Sequence, residues 1–97
     1  MDNEILLNKA KSAEQLAELF QELQATLDSV NIVVESQMAE FWRYHNGAVP
    51  TELWANYQTW KDNVTKSLPY LDSVINKCQK QAWYWRSQYE KQKLSGG

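Results

Sequence analysis

Cys78 and His45 are the chain's one thiol and one imidazole, and a thiol activated by an imidazole is the smallest constellation here that could do nucleophilic chemistry. A general base must come within hydrogen-bond reach of its nucleophile. The two residues are instead more than thirty positions apart, on the order of 45 Å along a single helical arm at ~1.5 Å per residue. That spacing predicts no dyad, with Cys78 a small residue in a helix contact. A soft metal site would need more Cys or His ligands than these two. The acids are dispersed, and neither a glycine-rich phosphate loop nor a nucleophile elbow is present. The expectation is a non-enzyme with no catalytic residue, no metal, no cofactor and no small-molecule substrate.

The second constellation is aromatic and basic. Residues 81–89 read QAWYWRSQY, and Lys77, Lys80, Arg86, Lys91 and Lys93 surround Trp83, Tyr84, Trp85 and Tyr89 with Glu90 as the intervening acid. Bases stacking on aromatics beside a basic track would suit single-stranded nucleic acid. The formal net charge of −2 disfavours it. Residues 1–45 carry eight acids against three bases, and residues 46–97 carry four acids against seven bases. The lysines of the second half thus have acidic partners within the chain.

The elements that would position these groups are helical. Leu6, Lys9, Ala13, Leu16, Phe20, Leu23, Leu27, Val30, Val34, Gln37, Phe41 and Tyr44 recur at intervals of three and four, the heptad signature of one long helix packed on others. Asp2 or Asn3 can cap its start, and the β-branched run Val30–Val34 is a point where it could kink or break. His45, Asn46 and Gly47 supply a left-handed stop, Thr51 a cap for the next helix and Glu52 an acid for its first turn. A second stripe runs Leu53, Tyr57, Trp60, Val64, then Leu68, Leu71, Ile75, Cys78, Ala82, Trp85 and Tyr89 with its phase displaced by one residue. Pro69 sits at the displacement, which predicts a kink there or a new helix capped by Ser67. The fold class expected is therefore all-α: an antiparallel helical hairpin of three helices, second arm kinked or broken near Pro69, assembling into a four-helix-type bundle.

The expected boundaries are one domain over 1–97, with a first arm at about 4–45, a turn at 46–51, a second arm at about 52–93 and a frayed tail at 94–97. Antiparallel arms place Glu18 opposite Lys77, Glu14 near Lys80 and Glu4 opposite Lys91. The pairing seam is expected at Leu16, Phe20, Leu23, Leu27, Trp60, Leu71 and Trp85. Trp42 and Trp54 flank the turn outside it, and Trp83, Tyr84 and Arg86 lie near the second arm's end. Exposed Trp and Tyr are enriched where proteins meet, so these five are the expected protein-binding residues.

One cysteine excludes an intramolecular disulfide framework. MDNEILLNKAK is neither a cleavable signal peptide nor a membrane span. The expectation is a cytoplasmic chain, or one exported without a cleavable signal, whose partner is another protein or a second copy.

A chain of this length with two helical arms, a central glycine turn at His45-Asn46-Gly47, an apolar Leu53 and a Trp at Trp60 resembles the small Trp-x-Gly (WXG-type) hairpin proteins of type VII (ESX-like) secretion systems. His45 stands where that family has its lead tryptophan, and the family's Tyr-x-x-x-acid export signal is absent at Tyr84 and Tyr89, which are followed at the fourth position by Gln88 and Lys93. The resemblance implies a dimer, with itself or with a second small helical protein, acting as a secreted factor or an escort. The alternative reading is a small intracellular adaptor or inhibitor that blocks a target protein.

Overall fold

The structure, a computed structural model, describes residues 3–95; the cap assigned to Asp2 and the tail glycines Gly96 and Gly97 lie outside the described residues. It consists of two α-helices, α1 (Asn3–Tyr44, 42 residues) and α2 (Thr51–Ser95, 45 residues). They form two compact units. The terminal unit comprises Met1–Glu22 with Leu71–Gly97, and the turn unit comprises Leu23–Tyr70. In each, a length of α1 packs antiparallel on a length of α2. Among the described residues no helix is long and apolar enough to cross a membrane.

The expected third helix does not exist. α2 passes through Pro69 without ending, and Ser67 caps nothing. Two physical reasons account for this. Pro69 and Thr65 are both exposed, so the carbonyl deprived of its donor faces water rather than protein. The displaced phase is itself a helical feature: Tyr57 to Leu68 spans eleven residues, and an eleven-residue period of ~3.67 per turn follows a straight helix more closely than a strict heptad does. The one-residue slip keeps the stripe facing α1 and needs no break. α1 likewise runs unbroken through Val30–Val34, since a β-branched residue costs at most about 0.7 kcal/mol of helix propensity and Asn31 within the run is tied to Trp60 of α2.

The seam of α2 follows the sequence stripe, with Val64, Leu71, Ile75 and Ala82 buried and Trp60, Cys78, Trp85 and Tyr89 half-buried. That of α1 does not. Leu6, Ala13, Phe20, Leu27, Val34 and Phe41 do face inward, but the alternate positions move one residue on, to Ala10, Ala17, Gln24, Asn31 and Met38. Leu16 and Leu23, expected in the seam, stay 45% and 51% exposed. Small residues let two helix backbones approach closely, and Ala10, Ala17 and Ala82 are all buried in the terminal unit. A leucine at those places would hold the helices apart.

The turn is built by its own residues. Gly47 N–H donates to Trp42 O at 2.9 Å and Asn46 N–H to Arg43 O at 3.3 Å, the paired bonds of a Schellman ending. Asn46 takes the left-handed conformation with φ 53°, and Gly47 follows with φ 79°. A Cβ on Gly47 would lie 3.2 Å from the Trp42 indole, so glycine is favoured twice, by its backbone angle and by a ring that a side chain would have to displace by a few tenths of an ångström. α2 begins at the expected cap itself, one residue earlier than the expected start at 52: Pro50 O accepts from Trp54 N–H at 3.0 Å, which makes Thr51 the first helical residue. At its other end α2 includes Leu94 and Ser95.

Candidate protein-interaction surface

In the terminal unit Trp83 projects from α2 with 73% of its surface exposed, and Tyr84 is also exposed. Both follow from position, because the helix turns roughly 100° per residue and only Trp85 of the three consecutive aromatics meets the seam. Trp85 is half-buried beneath the Lys9 ammonium, 4.1 Å from the ring centroid, and takes the edge of Tyr84 at 4.9 Å between centroids. Arg86 turns to α1, its Nε and Nη2 donating to Glu14 Oε1 at 3.0 and 2.7 Å. Glu14 therefore pairs with Arg86, not with Lys80. Both side chains remain partly exposed, and such a pair contributes no more than about 1 kcal/mol. Its consequence is positional: it holds Arg86 along a groove whose wall includes Trp83, Glu18, Gln79 and Glu90.

A different set of aromatics lines the turn unit. Trp42 and Trp54, both partly exposed, lie 6.0 Å apart between ring centroids, and Trp54 continues to Tyr57 at 5.6 Å. Tyr57 donates its hydroxyl to Glu35 across the helices. That hydrogen bond to a carboxylate, then burial, then the Glu35 charge push the phenol up to about 12. Trp60 Nε1 donates to Asn31 Oδ1 at 3.1 Å. His45 stacks on Phe41, with centroids 3.9 Å apart and planes 12° from parallel, and its Nδ1 lies 2.9 Å from Phe41 O. The residue standing at the resemblance's tryptophan position thus closes the end of α1.

The five residues expected to bind protein fall into two groups: Trp83, Tyr84 and Arg86 in the terminal unit, Trp42 and Trp54 in the turn unit with His45, Asn46 and Gly47. Cys78 and His45 also fall in different units, Cys78 half-buried in the terminal one. Among the described residues no three His, Cys, Asp or Glu cluster as metal ligands would. The contacts of Glu35 with Tyr57, Asn31 with Trp60 and Lys9 with Trp85 are not expected from the apolar stripes. The antiparallel pairing rule that set Glu18 against Lys77 brings Glu35 near Tyr57 and Asn31 near Trp60, and applying it to polar–aromatic pairs was the signal available.

No family model matches the chain, and no curated protein or solved structure is significantly similar to it.

Proposed function

We propose that this chain is a non-catalytic helical interaction module that dimerises and presents exposed aromatic surfaces to a larger protein, in the manner of a WXG-like secretion factor or the escort of a secreted effector. The observation that carries the reading is Trp83: a large indole left in water beside an arginine held in place by Glu14. Trp and Arg are the residues most often dominant in protein contacts, and a pre-positioned arginine loses less conformational freedom on binding. The local charge supports a protein over a nucleic acid, since the terminal unit's stretches of sequence hold seven acids and seven bases. Lys9 and Arg86 are moreover already engaged with Trp85 and Glu14.

The test is Trp83→Ala in the full chain. Affinity for the larger partner, recovered by co-purification and measured by titration, falls at least about tenfold, the loss of a hot-spot residue. The thermal midpoint and helical circular dichroism stay within error of the parent. Parallel losses of binding and of thermal stability would assign Trp83 to the fold and remove the reading. Export separates the secretion role from an intracellular inhibitor, because the former places the protein outside the cell and the latter leaves it on a cytoplasmic target.

A further inference from the structure

The terminal unit balances its acids and bases in sum, yet its two grooves do not. One, of about 630 Å³, includes Lys9 and Lys77 and no acid. The other, of about 680 Å³, carries Glu14, Glu18 and Glu90 against Arg86 as its base, with Trp83 in its wall. Helical spacing brings these side chains together. Glu14 and Glu18 lie one turn apart on α1, and Trp83, Arg86 and Glu90 follow one another at three and four residues on α2.

The acidic groove lacks a cation in two places. Glu14 takes both Arg86 donors on Oε1, so those two charges offset each other. Glu18 and Glu90 are exposed, and among the described residues neither has an ion pair. Trp83 is in the same condition. Basic groups of this chain lie over Trp85, Tyr44, Tyr57 and Tyr89. Lys80 and Arg86 each stand three residues from Trp83, one helical turn away, but among the described residues no cation lies over its ring. An indole face attracts cations, and a guanidinium best combines the two contacts, because it stacks flat on a ring and keeps its N–H edge for a carboxylate. An open indole and two unpaired carboxylates along one groove are therefore the complement of a basic side chain. The same carboxylates repel an acidic one.

We infer that this groove receives a basic segment of the larger protein, an arginine of which stacks on Trp83 and pairs with the free carboxylates of Glu18 and Glu90. The inference rests on the proposed reading of Trp83 as a contact residue and adds the chemistry of what it contacts. The test is a titration of the full chain with tetra-arginine amide at low salt, followed by proton–nitrogen NMR, with tetra-glutamate as the opposite charge. Tetra-arginine shifts the Trp83 indole resonance and the amides of the groove saturably, and the Trp85 indole far less; tetra-glutamate shifts none of them. Glu18→Gln with Glu90→Gln weakens the binding about fivefold, the worth of two exposed ion pairs. Trp83→Leu, which keeps an apolar side chain without the π face, weakens it about threefold. Asp28→Asn with Asp62→Asn removes the same charge from exposed sites of the turn unit and leaves the affinity within error. Absent shifts, shifts spread evenly over the acids, or equal losses from the two charge-matched pairs overturn the inference, because attraction to net charge alone produces them; so does a Trp83→Leu variant that binds like the parent. If the series fails while Trp83→Ala still releases the larger partner, the basic segment is overturned and the proposed function stands. If Trp83→Ala releases nothing either, both fall.

Discussion

The terminal unit and the turn unit use the same two helices in opposite ways. Leu6, Ala10, Ala17, Leu71, Ile75 and Ala82 are buried in the first, and Val64 alone in the second. Small residues in the first allow close backbone approach, and aliphatic side chains fill what remains. The second is spanned by aromatics and by polar bridges, Tyr57 to Glu35 and Trp60 to Asn31. Two helices can therefore close a contact where the residues are small, but large rings at the same interface leave an open groove on the side they do not reach. Stability is expected to concentrate in the terminal unit and unfilled apolar surface in the turn unit.

The sharpest way to break this comparison is to remove packing from each side in turn. Ile75→Ala takes a buried branched side chain out of the terminal unit and is expected to cost about 2–5 kcal/mol. Leu23→Ala removes a comparable volume from a half-exposed site in the turn unit and is expected to cost well under half as much in the monomer. Thermal or urea unfolding of the two variants measures the difference. Equal losses would mean that the two units share one level of packing.

Pro69→Ala acts in the opposite direction. The proline lies in the turn unit, inside an intact helix, with its ring exposed. Alanine restores the missing N–H donor and removes the clash, so stability is expected to rise by as much as about 3 kcal/mol. A loss instead would show that the helix relies on the local geometry proline imposes. The same chemical denaturation series reads it.

These experiments also mark what the sequence could disclose. α2's seam was legible because its apolar spacing holds one phase on each side of a single slip, even though Val74, Trp83 and Tyr84 stand beside seam positions. α1's was not, because Leu16 stands beside Ala17, Leu23 beside Gln24 and Val30 beside Asn31, and hydropathy selects the more apolar of each pair. The fold chooses by size and reach: Ala17 admits a close backbone, and Asn31 meets the Trp60 indole. The unused Leu16, Leu23 and Val30 stay exposed. Pro69 misled for another reason, since a heptad template treats every departure from 3.5 as a defect, although 3.6 is the helix's own period. The turn was legible at Asn46 and Gly47 because left-handed backbone demands those residue types. Exposure of Trp83 and Tyr84 followed from rotation about the axis, whereas the Glu14–Arg86 pair depended on side-chain reach, which spacing alone does not resolve.

The smallest expected effect separates the units by pH. Tyr57's phenol is pushed up to about 12, first by donating to Glu35, against roughly 10 in the unfolded chain. The folded state holds the neutral phenol more tightly, so the contribution is complete below pH ~10 and is lost as pH rises from about 10 towards 12. Tyr57→Phe removes that contribution at all pH values. The parent should therefore exceed the variant by about 1 kcal/mol at neutral pH, the worth of one partly exposed hydrogen bond, and the gap should close across that alkaline window. In the variant Glu35 can take water, which keeps the loss small. Glu14→Gln, which loosens the terminal unit's ion pair and leaves Tyr57 and Glu35 in place, is the control, and its gap from the parent should stay flat from pH 7 to 10. If the Tyr57→Phe gap also stays flat to pH 12, the phenol is not held by Glu35 in the folded protein. The turn unit would then keep one neutral bridge between its helices, Trp60 to Asn31.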